Sequence, residues 1–287
     1  MSTSNEVRRS YRWCRQLAVR HYENFPVASR LLPARLRDPV AALYAFARSA
    51  DDIADEGDRP APQRLRELDA MGEALESIGA GGAPDQRFYP ALADTLRRFD
   101  LPLPLLHDLL DAFRQDVEKN RYADFGELMD YCRRSANPVG RLLLHLTGNV
   151  SERNLARSDA VCSALQLINF LQDIEQDYRE HGRIYLPQND MHRFGVDEAD
   201  IAVRRNTPQT AQLMRFQVQR AAQLLRAGSP LGTTLRGRFG LELRAVVLGA
   251  ARVLEKLHKQ SDIFGRPRLN RRDRVAIVWG ALRQGFK

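Results

Sequence analysis

Cysteine is scarce in this 287-residue chain. The three present, Cys14, Cys132 and Cys162, are odd in number and too widely spaced for a disulfide frame or a zinc site. A reducing compartment is the plain expectation. No apolar run approaches the ~18 uninterrupted residues of a membrane-spanning helix. The N-terminus, with Arg8, Arg9, Arg12 and Arg15, lacks the apolar stretch of a secretory leader. A cytoplasmic location is expected, with contact to a membrane surface left open. Period-two alternation bounded by turn residues is also missing, which argues against a β-sheet protein. There is no paired Cys/His finger and no RNP-like aromatic string, so no nucleic-acid signature appears. What is there is ordinary globular composition: 44% hydrophobic, 28% charged, net charge +8. That excludes a disordered or collagen-like chain, and the length suffices to bury a sizeable core.

Helical periodicity runs through nearly the whole chain. Residues 39–56 place apolar side chains at 40, 43, 44, 46, 47 and 50, with Pro39 suited to a first turn. Helices are further expected over 62–78, 104–119, 124–134, 138–148, 158–178, 207–227, 239–260 and about 272–284. The breaks between them, at 57–62, 79–90, 100–104, 181–190 and 227–232, are too short for flexible linkers, so the reading is one α-helical domain over 1–287. Cys132, Cys162 and His145 fall in apolar stretches and are expected to serve packing. Residues 262–287 carry Arg266, Arg268, Arg271, Arg272, Arg274, Arg283 and Lys287 against Asp262 and Asp273. Such a patch suits nucleic acid, anionic lipid or a phosphorylated substrate, and equally a plain solvated surface.

Two acidic clusters carry the chemistry. Asp51, Asp52, Asp55, Glu56 and Asp58 form the first, with no Lys or Arg between Arg48 and Arg59. Asp51 and Asp55 are i, i+4, so one helix face presents both carboxylates, and Arg48 lies three residues earlier on that face. In the second cluster Asn169, Asp173 and Asp177 repeat the same step twice, with Gln166 three residues before. Carboxylates on helices rich in apolar neighbours are costly unless something neutralises them. Hard oxygen donors without nearby His or Cys suit Mg²⁺ better than Zn²⁺, and Mg²⁺ commonly bridges carboxylates to substrate phosphates. An arginine beside them can grip a diphosphate bidentately. Solvated acidic faces are the alternative reading of either motif alone.

The segment Ala45–Glu56 resembles the first aspartate-rich motif of the squalene/phytoene synthase family, Gln166–Tyr178 resembles the second, and Gly182–Pro187 resembles the stretch that follows it. The likeness runs from about His21 to Arg274. The resemblance implies an all-α isoprenoid synthase-type helical bundle around a central cavity, with the two aspartate-rich helices holding Mg²⁺ against a prenyl diphosphate. It implies Asp51, Asp55, Asn169, Asp173 and Asp177 as metal ligands. It also implies Arg48, Arg266 and Arg274 as diphosphate contacts, and His21, Tyr44, Tyr131 and Gln166 along the substrate site. Of these, the carboxylates and Tyr131 would be catalytic.

Within the family, Tyr131–Gly140, which contains Ser-Ala-Asn-Pro-Val-Gly, resembles the branch serving bacterial hopanoid pathways. Gln172 stands where many relatives have Arg, and Ala250 where several have Tyr. The implied reaction is ionisation of presqualene diphosphate, rearrangement and capture of one water to give hydroxysqualene, with no nicotinamide cofactor. Head-to-head condensation of two prenyl diphosphates is the second expectation. A basic helical protein that binds nucleic acid or membrane with incidental aspartates is the third. The resemblance implies no nucleic-acid partner; it leaves open peripheral membrane contact and pathway enzyme partners. Asn137 is expected to start a helix with Pro138 behind it, or else to help place the quenching water.

Overall fold

The computed structural model describes residues 2–20, 32–82, 84 and 87–283, with side chains from Asn5 onward. In chain order the helices are α1 (Ser2–Arg20), α2 (Ala34–Asp55), α3 (Ala61–Gly79), α4 (Tyr89–Phe99), α5 (Pro104–Glu118), α6 (Phe125–Ser135), α7 (Asn137–Thr147) and α8 (Glu152–Gln172). They continue with α9 (Ile174–His181), α10 (Gln188–Arg193), α11 (Glu198–Ala202), α12 (Pro208–Gly228), α13 (Leu231–Thr234), α14 (Gly237–Lys259) and α15 (Arg271–Arg283). The fold is all-α. The β-type pairing among the described residues is an isolated parallel bridge between Arg121 and Ile184.

The chain forms two compact units. The first comprises Met1–Glu118 and Pro138–Ser151. Here α2 is the hub, packed by α1, α3, α4 and α5. Its inward face is small or aromatic, with Ala42, Ala45, Phe46 and Ala50 completely buried. Phe88 gathers the aromatic core, stacking on Trp13 and meeting Phe46 edge-on. The buried Tyr11 hydroxyl donates to Asp94 Oδ2 at 2.7 Å and lies 2.9 Å from the Thr95 hydroxyl, which ties α1 to α4. Helix α2 begins five residues earlier than the expected start, so Pro39 sits inside it rather than in its first turn. The reason is packing: Leu36 continues the buried face upstream, and tertiary contact outweighs the loss of one proline N–H. Helix α4, which the periodicity does not single out, starts at a Tyr-Pro pair at the end of the expected break.

The second unit comprises Lys119–Asn137 and Glu152–Lys287. Its centre is the long contact of α8 with α12, flanked by α14 and α6. Close approach is possible because Gly228 ends α12 against α8, where a Cβ would stand 2.6 Å from the Arg157 carbonyl oxygen. Local signals place several ends. Asp124 caps α6 by accepting the Glu127 N–H at 2.9 Å, and Thr207 caps α12 ahead of Pro208. Cys14 and Cys132 are buried free thiols whose pKa is pushed up to about 12 by desolvation, each within its own unit. Cys162 and His145 are only half-buried, less enclosed than the packing role expected of them. No described helix is long and apolar enough to cross a membrane.

Asp190 of α10 anchors the second unit. Its buried Oδ2 accepts from the Gln217 side chain at 2.9 Å and pairs with Arg220, both on α12. The Arg220 guanidinium also lies 4.2 Å from the ring centres of Phe125 and Phe216. Asp190→Ala leaves that guanidinium without its carboxylate. It should cost about 2–3 kcal/mol, read as a lower urea midpoint at unchanged slope.

Candidate functional site

In the first unit, Tyr44, Arg48, Asp51 and Asp55 all lie on α2 and are half-buried. Arg48 Nη1 donates to Asp51 Oδ2 at 3.0 Å, Nη2 stands 2.6 Å from Asp52 Oδ1, and Nη2 also pairs with Glu56. One guanidinium thus serves three carboxylates while its own side chain is only 16% exposed. These acids crowd the C-terminal turn of α2, where the helix dipole disfavours negative charge. The turn is held by cations from beyond it. Arg59 Nη2 donates to the carbonyl oxygens of Asp52 (2.8 Å) and Glu56 (2.9 Å). Arg64 donates to Gly57 O at 2.7 Å and to Ala54 O. Gly57 follows in the left-handed region, φ +78°, which terminates the helix without steric penalty.

In the second unit the expected single helix over 158–178 is interrupted. α8 stops at Gln172, Asp173 adopts φ −111° and ψ 15°, and α9 restarts at Ile174. The i−4 hydrogen bonds persist on both sides, from Asp173 N–H to Asn169 O at 3.0 Å and from Asp177 N–H to Asp173 O at 2.8 Å. Gln166, Asn169 and Asp177 are half-buried, while Asp173 is buried. Arg266 pairs with Asp173: Nη2 donates to Oδ2 at 3.1 Å, and Nε stands 2.6 Å from Oδ1, which it meets as a charge and not through a hydrogen bond. Arg266 also donates to Gln176 Oε1 at 3.3 Å. Desolvation pushes the Asp173 carboxyl above the usual carboxylate range despite the opposing pull of Arg266.

Two supports stand around these residues. The Gln172 side chain donates to Pro267 O at 2.8 Å, and Asn206 donates to Ser261 O at 2.6 Å. With Ile263 and Phe264 buried between them, the loop 260–270 is fixed at both ends and Arg266 with it. In the sequence Gln172 stands out only as a departure from the Arg of relatives; its neutral carboxamide reaches a backbone carbonyl, a contact no periodicity reveals. The second support is aromatic. Tyr131, Tyr122, Phe170 and Tyr185 cluster, with Phe170 and Tyr185 stacked at 3.7 Å between ring centres and Tyr131 at 5.5 Å from Tyr122. Tyr185 joins Tyr131 through the segment placed by the Arg121–Ile184 bridge.

The other expected residues fall as follows. Arg274 is exposed on α15, and His21 lies outside the described residues. Asn137 starts α7, and its buried Oδ1 accepts the Ser163 hydroxyl at 2.9 Å, so the side chain bonds to α8. Among the described residues, no three His, Cys, Asp or Glu side chains are gathered into a ready-made metal cage. Mg²⁺ does not require one, since it keeps waters and takes one or two carboxylates plus substrate phosphates. The donors on α2 and around Asp173 are all hard oxygens, and a carboxylate destabilised by burial, as Asp173 is, gains from a cation. The residues fit that ion.

A family model of squalene/phytoene synthase matches residues 18–275. The chain belongs to that family. It is 36% identical over 261 residues to a hydroxysqualene synthase of Rhodopseudomonas palustris, covering 91% of this chain and 88% of that one. It is also 35% identical over 220 residues to a phytoene synthase of Mycobacterium bovis, covering 76% and 71%. The crystal structure of squalene synthase HpnC from Alicyclobacillus acidocaldarius superposes with a TM-score of 0.83 at 36% identity, covering 89% of this chain and 95% of that one. As a squalene/phytoene synthase family member, the chain is an isoprenoid synthase, and its relatives share the helical fold described above.

Gln172→Ala removes the tether on the Arg266 loop. It should cost about 1 kcal/mol, a fall in Tm of about 2–4 °C in differential scanning fluorimetry.

Proposed function

We propose that this chain is a carbon–oxygen lyase that ionises presqualene diphosphate and admits one water, giving hydroxysqualene and diphosphate for hopanoid biosynthesis. The reading takes 1–287 as one catalytic domain on the cytoplasmic side, acting alone or beside pathway enzymes. It rests on the Arg266–Asp173 pair, a guanidinium held by a tethered loop on a buried carboxylate. Support for the particular reaction comes from the segment Tyr131–Gly140 and from the hydroxysqualene synthase relative.

Asp51, Asp55, Asn169, Asp173 and Asp177 would hold Mg²⁺, which supplies positive charge to the diphosphate as it leaves. Arg48 and Arg266 bind diphosphate oxygens and stabilise the charge that grows there when the C–O bond breaks with its electron pair. Tyr44 and Gln166 would contact the substrate. The ring faces of Tyr131 and its aromatic neighbours carry negative potential, which suits the carbocation left behind, and their bulk keeps bulk water out. The cyclopropylcarbinyl cation rearranges with ring opening, and the admitted water adds its oxygen to the rearranged cation and passes one proton to the released diphosphate.

Condensation of two prenyl diphosphates is the second reading, favoured by the phytoene synthase relative. Product analysis separates the two. Purified protein with Mg²⁺ should convert presqualene diphosphate to hydroxysqualene and leave farnesyl diphosphate untouched; diphosphate release from farnesyl diphosphate alone would overturn the first reading. Asp51→Asn and Asp173→Asn should each abolish turnover while stability stays within about 1 kcal/mol of wild type, because Asp51 and the Arg266 partner of Asp173 are both about two-fifths exposed and pairs that solvent reaches contribute little. Unfolding of either variant, with normal activity per folded molecule, would remove its ligand role.

A further inference from the structure

Helix α15 packs on α14 through one face. Asp273 and Ala281 are buried there, and Asp273 is paired with Lys256 at 2.7 Å and Arg252 at 3.2 Å. The opposite face is apolar and uncovered among the described residues. Val275 (61% exposed), Val278 (57%), Trp279 (66%) and Leu282 (43%) follow i, i+3, i+4, i+7 and form one stripe. These four are among the seven exposed large hydrophobic side chains of the described residues, so the apolar surface is concentrated here. Arginines border it. At ~100° per residue, Arg274 lies along one edge of the stripe, Arg272 and Arg283 along the other, and Arg271 at its N-terminal end. All four arginines are exposed. The lone acid of the helix, Asp273, is buried and already neutralised, so every outward charge on α15 is positive.

From this we infer that α15 lies flat on an anionic lipid bilayer, with Val275, Val278, Trp279 and Leu282 in the headgroup–acyl boundary and the arginines on lipid phosphates. The occupant is set by charge. A stripe ringed by arginine is repelled by a second copy of itself and attracted by a negatively charged surface. Trp at the middle of the stripe suits the membrane–water boundary, where an amphipathic ring is most at home. The helix is too short to span, so the contact is peripheral. The stripe begins at Val275, where the match to the family model ends, and it does not depend on the reaction assigned above.

The test is flotation of the full chain with vesicles of phosphatidylglycerol and phosphatidylcholine in equal parts, against phosphatidylcholine alone. Wild type should float with the anionic vesicles, lose binding as salt rises, and stay behind with the neutral ones. Its tryptophan emission should shift to the blue on binding, and Trp279→Phe should lose that shift while Trp13 still emits. The pair Val278→Asp and Leu282→Asp, and separately Arg271→Glu and Arg272→Glu, should each lower bound protein by at least about ten-fold at an unchanged Tm. Absence of wild-type binding, equal binding to neutral vesicles, or full binding by both pairs would overturn the proposal. So would light scattering that finds a lipid-indifferent wild-type dimer which Val278→Asp and Leu282→Asp convert to monomer, since the face would then be a contact between copies. If the Asp pair fails to fold, the charge-reversed pair and the wild-type emission still decide.

Discussion

A carboxylate taken out of water governs the second unit. Asp173 is buried at a point where a helix breaks, and burial raises the cost of its charge. Arg266 meets that cost with one hydrogen bond and a close charge contact, and the contacts around the loop keep Arg266 there. Gln172 binds the loop from the residue next to Asp173, Asn206 binds it from the other side, and Ile263 and Phe264 fill the space between. Opposite charges at such separation attract strongly once water is thinned around them.

The first unit handles its acids differently. Asp51, Asp52 and Glu56 surround a single Arg48 at the partly exposed end of α2, where solvent carries much of the load. The penalty there comes from the helix end itself, since its free carbonyls already point negative charge at the same turn. Arg59 and Arg64 occupy those carbonyls, and Gly57 lets the chain turn away. An aspartate-rich helix terminus is stable because two later arginines stand where the backbone lacks donors. Arg59 is held from both sides, by α2 carbonyls and by Glu67 of α3 at 2.6 Å.

Most helices were legible because apolar residues recur at helical spacing and because caps mark their ends, as Asp124 and Thr207 do. The start of α2 was misplaced since Pro39 looked like a first-turn residue, whereas Leu36 had a core to reach. The second aspartate helix reads as continuous because nothing in Gln172-Asp173-Ile174 is a helix breaker; the interruption lies at the residue that Arg266 holds from 93 positions away. Spacing singles out Asp51, Asp55, Asn169, Asp173 and Asp177 as candidates, while Arg266 stands in the basic patch of 262–287 and is tied to a diphosphate only by family likeness. The aromatic partners of Tyr131 come from three separate segments, so no local pattern announces them.

Sequence by itself determined the all-α class, the two acidic motifs and the excess of arginine, because periodicity, residue chemistry and net charge are local or additive properties. Only the tertiary structure decided which arginine meets Asp173, that Asn137 bonds Ser163, and that the apolar residues of α15 face outward between arginines. The reason is that burial and pairing depend on what other segments place nearby. A valine at helical spacing is core or surface according to which face its neighbours cover, and an aspartate is costly or cheap according to how much water they leave it.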